Sequence, residues 1–116
     1  NIQLLTLGTL VHLKLLVYYY IKFLEIKMNL DDIRSDIDMV DSQLIALLEQ
    51  RMDLVSQVAT YKKMTGVRVL DNSREIAILD KVANRVKEPL FTETIVNTFR
   101  DILKNSRAYQ EQTLKD

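Results

Sequence analysis

Arg51 and Lys62 lie eleven positions apart in the sequence. In a helix turning about 100° per residue they point the same way to within roughly 20°. Ser106 and Gln110, four positions apart, share one face of a later segment. Between these pairs the stretch RVLDNSREIAIL (Arg68–Leu79) sets Asp71, Arg74 and Glu75 where a polar run gives way to an apolar one. The chemistry open to such a set is that of fixed charges and hydrogen bonds. A lone His12 cannot form a histidine metal cluster, and the absence of cysteine excludes any thiolate metal site. Each residue also has an ordinary use. Asn72, followed three residues later by Glu75, fits a capping box, and basic side chains on helices commonly form surface pairs worth only about 0–1 kcal/mol. Any chemistry therefore rests on the set and not on one member.

Placing them takes long helices. The 116-residue chain has only 2 Gly and 1 Pro beside abundant Leu, Ile, Lys, Glu, Asp and Gln, a composition rich in helix formers and poor in turns. Ile33, Ile37, Val40, Leu44, Leu47, Leu48, Leu54, Val55 and Val58 recur at spacings of three and four, with no Gly or Pro until Gly66. That periodicity predicts a first helix from about Asp31 to about Lys63, capped by Asn29 or Asp31. The connection MTGVRVLDN follows, with Gly66 able to supply a left-handed turn. A second helix is predicted over about Ser73–Val86, broken at Pro89. A third runs from a Thr92 cap to about Gln112. The fold class is all-α, with one long helix, two shorter ones and no strands.

A first helix of roughly 50 Å is too long for two short helices to cover. Its apolar face calls for a second copy, giving an intertwined helical homodimer with long helices side by side. Arg34 lies seventeen positions before Arg51, about 100° round the helix and some 25 Å along it. Within one chain the two cannot share a pocket. Across an antiparallel pair, the near end of one helix meets the middle of its partner.

Residues 1–28 read differently from 29–116. The run LLTLGTLVHLKLLVYYYIKFLEI is apolar and interrupted only by His12, Lys14, Lys22 and Glu25. It reaches the roughly 20 residues of a membrane span, but Lys14 near its middle costs about 2.5–3.5 kcal/mol on insertion. A signal peptide's basic start and small-residue cleavage site are not visible. The segment has three readings: upstream sequence appended to a normal domain that begins at Met28, a packing or oligomer-forming helix, and a membrane anchor. It stands outside the functional argument. Lys plus Arg equals Asp plus Glu at 16 each, with no basic run, so no nucleic-acid footprint is present. The lack of cysteine fits a reducing cytoplasm.

Taken together, IRSDIDMVDSQLIALLEQR, then Lys62 eleven residues on, then VLDNSRE and NSRAYQ closely resemble the all-helical chorismate mutases. The resemblance covers residues 29–112 and none of 1–27. It implies an intertwined dimer with two sites that convert chorismate to prephenate without metal or cofactor. It further implies that Arg51, with Arg34 of the partner chain, holds the two substrate carboxylates. Lys62 and Gln110 would donate to the ether oxygen of the breaking C–O bond. Glu75 would accept from the ring hydroxyl, aided by Asp71 through its backbone, and Ser106 and Arg74 would complete the polar lining. Asp41 matches a family position read as structural. Two rivals stand beside this reading: an isochorismate pyruvate lyase on the same fold, and a non-catalytic helical dimerisation or regulatory module.

Overall fold

The computed structural model describes residues 2–116, with side chains from Thr6 onward. It contains three α-helices, α1 (Ile2–Thr65), α2 (Asn72–Arg85) and α3 (Pro89–Lys115). No strand occurs among the described residues. The all-α, one-long-two-short expectation holds, and the start of each helix differs from its predicted position.

The first difference is the start of α1, which runs through Asn29 and Asp31 with no cap there. Nothing in the sequence forbids it. No Gly or Pro lies between Gly8 and Gly66, and Asn or Asp inside a helix costs only tenths of a kcal/mol, up to about 0.7. The second concerns the cap of α2. Asp71, not Asn72, is the N-cap; its Oδ1 accepts from the Arg74 backbone N–H at 3.0 Å. Third, Pro89 opens α3 where the sequence reading made it only a breaker. Proline suits a first helical position, where its missing N–H has no partner to lose. Glu88 caps this helix by accepting from the Leu90 N–H at 3.2 Å, so Thr92 lies inside it.

Two compact units divide the chain, one up to Ala46 and the other Leu47–Asp116. In the first, every described side chain is exposed, including Ile33, Ile37, Val40 and Leu44 of the predicted apolar face. α1 is long and apolar enough, by length and composition, to cross a membrane. In the second unit, Gly66 takes φ +73°, and its N–H closes the end of α1 on the Lys62 carbonyl at 2.9 Å. The chain then turns into α2, which packs against α3. Val55 and Ala59 of α1, Val69 of the connection and Leu103 of α3 are buried, and among the described residues no large side chain is fully enclosed.

Candidate active site

Three segments of the second unit converge on a cavity of about 290 Å³. The end of α1 supplies Arg51, Leu54, Val55, Val58 and Lys62, whose spacing of three and four keeps them on one face. The connection and the first turns of α2 bring Val69, Asp71, Arg74, Glu75 and Ile78, and α3 brings Leu103, Ser106, Arg107 and Gln110. Aliphatic side chains (Leu54, Val55, Val58, Val69, Ile78, Leu103) and polar ones line it together. Four cations (Arg51, Lys62, Arg74, Arg107) face two carboxylates (Asp71, Glu75), a surplus of two positive charges. The first turn of α2, with its positive dipole end, opens on the same space.

Hydrogen bonds to the surrounding backbone and side chains hold several of the polar groups. Arg51 Nη1 donates to Ser106 Oγ at 2.5 Å, and that hydroxyl in turn donates to the Ile102 carbonyl at 2.8 Å. Ser106 thus ties half-buried Arg51 to the backbone of α3. Lys62 Nζ donates to the Val69 carbonyl at 2.7 Å, leaving two of its three hydrogens for something else. Gln110 is 7% exposed; its Nε2 reaches the Ser106 carbonyl at 3.3 Å. Its Oε1 is buried without a partner. Such a group costs about 1–3 kcal/mol.

Seven of the eight residues singled out in the sequence line this cavity: Arg51, Lys62, Asp71, Arg74, Glu75, Ser106 and Gln110. Arg34 does not. It lies in the first unit, on an exposed part of α1. The capping box expected of Asn72 and Glu75 is also absent, because Glu75 turns to Arg107 instead. Arg107 was missed in the sequence, although its place three before Gln110 makes the two neighbours on the helix surface. The Val69 carbonyl was missed as well, and a backbone atom carries no residue-type signal. Among the described residues no group of His, Cys, Asp and Glu is placed to hold a metal ion.

The cap itself is testable. Asp71→Ala is expected to lower stability by about 0.5–2 kcal/mol, whereas Asp71→Asn keeps a cap of equal quality. Urea midpoints that fall equally for both would show that the Asp71 charge, and not its capping bond, carries the effect.

Among known sequences, the family described as chorismate mutase type II matches residues 33–111. A protein named chorismate mutase from Methanocaldococcus jannaschii is 31% identical over 89 residues, covering 76% of this chain and 90% of that protein. A T-protein from Haemophilus influenzae is 36% identical over 86 residues, covering 72% of this chain but 22% of that protein. No solved structure gives a significant match.

Proposed function

We propose, from the fact that this chain belongs to the chorismate mutase type II family, that it converts chorismate to prephenate. The observation that carries the reading is the surplus of two positive charges around a small cavity that is also lined by aliphatic side chains. Chorismate is a compact dianion, and planar Arg groups match carboxylates bidentately. The reaction is a unimolecular [3,3] rearrangement: the ether C–O bond breaks as a C–C bond forms, and no proton or electron leaves the substrate. The protein's tasks are to hold the enolpyruvyl arm over the ring and to set donors where the ether oxygen gains charge.

In this assignment Arg51 and the partner subunit's Arg34 bind the two carboxylates. Lys62 and Gln110 donate to the ether oxygen. Glu75 accepts from the ring hydroxyl, with the Asp71 backbone beside it, and Arg74 and Ser106 complete the polar wall. The reaction asks for no metal or cofactor. We assign the working domain to residues 29–116, in the cytoplasm, with residues 1–28 an extension outside the catalytic machinery.

The functional unit in this reading is a homodimer. What supports it is the small number of buried apolar residues in the second unit and the exposed faces of α1; a core this small does not sustain a free-standing fold. The test uses Arg34→Ala and Arg51→Ala chains, each inactive alone. Unfolded together and refolded, they should regain about a quarter of wild-type activity. Half of the random dimers are mixed, and each mixed dimer carries one intact site of two. No recovery would place both arginines of a site on one chain.

The direct experiment is to incubate the purified protein with chorismate and identify the product. Prephenate supports the assignment. Cleavage of isochorismate to salicylate and pyruvate, with chorismate untouched, moves it to the lyase on the same fold. Inertness toward both leaves a non-catalytic helical module.

A further inference from the structure

Arg107 has no role in the assignment above, yet it makes the only ion pair among the described residues that joins two helices: its Nη1 donates to Glu75 Oε1, from α3 to α2. Both side chains line the cavity and both are largely shielded, 31% and 21% exposed. Glu75 poses a problem for a site that takes a dianion. A carboxylate on the cavity wall repels the substrate's own carboxylates, and a freely rotating one can turn either oxygen toward them. Arg107 addresses both difficulties. It places a compensating charge directly on Glu75, and it occupies Oε1, which leaves Oε2 as the oxygen free to accept from a ligand. The guanidinium is suited to this task because its rigid fork fixes direction as well as charge.

We propose that Arg107 is a positioning residue that turns Glu75 into an acceptor selective for a ring hydroxyl, an inference that rests on the chorismate mutase reading. Arg107 then acts through Glu75 and not on the substrate carboxylates. Its value should appear only with a substrate that has the hydroxyl and an enzyme that has the carboxylate.

The experiment measures kcat and KM for wild type, Arg107→Met, Arg107→Lys, Glu75→Gln and the Glu75→Gln/Arg107→Met double variant. The substrates are chorismate and its analogue lacking the ring hydroxyl. Arg107→Met is expected to lose roughly tenfold or more in kcat/KM on chorismate, the scale of a hydrogen bond to a charged group. Arg107→Lys should recover part of that loss. On the deoxy analogue, and in the Glu75→Gln background, the same substitution should cost less than about twofold, the scatter of independent sites. Equal losses on both substrates, or losses that simply multiply with those of Glu75→Gln, would overturn the proposal and make Arg107 a carboxylate ligand or a strut between helices. If Arg107→Met unfolds, Arg107→Lys carries the same comparison of substrates. A wild type that does not convert chorismate would instead remove the parent assignment, an outcome distinct from an active wild type whose Arg107 penalty ignores the hydroxyl.

Discussion

Replacing Lys62 with methionine is expected to lower chorismate turnover by about a hundred- to a thousandfold, the usual effect of losing one preorganised donor to a developing oxyanion. Methionine keeps the apolar stem and removes only the ammonium. The Val69 carbonyl takes one ammonium hydrogen at 2.7 Å, so the charge is held at a set point before substrate arrives and needs no reorganisation during reaction. Negative charge on the ether oxygen exists mainly in the transition state. The loss should therefore fall on kcat, with KM changed little. If KM rises and kcat is preserved, Lys62 binds a carboxylate in both ground and transition states and the ether-oxygen role is wrong. The variant also leaves the carbonyl of buried Val69 unpaired, which costs about 1–3 kcal/mol of stability. Circular dichroism and the unfolding midpoint separate that loss from the catalytic one.

Lys62 also shows why so much of the site was legible in the sequence. Its eleven-residue spacing from Arg51 is a property of any α-helix, so the shared face follows as soon as the segment is known to be helical. The same holds for Ser106 and Gln110. What sequence could not supply was the angle at which α3 meets α2. Arg107 lies three positions before Gln110 and so next to it on the helix surface, but only the packing of the two helices decides that its guanidinium reaches Glu75 and not solvent. The helix boundaries erred for a related reason. Periodicity marks where an apolar face is useful, whereas a helix ends only where something stops it. Asn29 and Asp31 do not stop α1, and Asp71 outcompetes Asn72 as a cap because its carboxylate lies within 3.0 Å of the Arg74 N–H. Arg34 marks the other boundary of inference. A place for it in the proposed site requires a second chain, which neither helical spacing nor the packing of α2 against α3 determines.

Gln110→Glu is expected to lose about a hundredfold or more in kcat/KM at neutral pH, and to regain part of it in acid. The wild-type amide donates whatever the pH, because it does not ionise, so activity should vary little across the neutral range. A carboxyl at the same position donates only when protonated; ionised, it sets a negative charge against the ether oxygen as charge grows there. Two influences act on the introduced acid. The burial of position 110, 7% exposed, favours the neutral form, and the nearby cations of the cavity favour the charged one. In either case the active form is the protonated one, so the sign is fixed: activity rises as pH falls through the new group's pKa and is lost above it. The variant should thus convert a flat profile into one that falls with rising pH, while kcat/KM at low pH approaches the wild-type value. Profiles of both proteins between about pH 5 and 8 decide the matter. A wild type with a sharp optimum near about pH 5 that Gln110→Glu leaves unchanged would mean that some other group titrates in the reaction, and that Gln110 lines the cavity without serving as the donor.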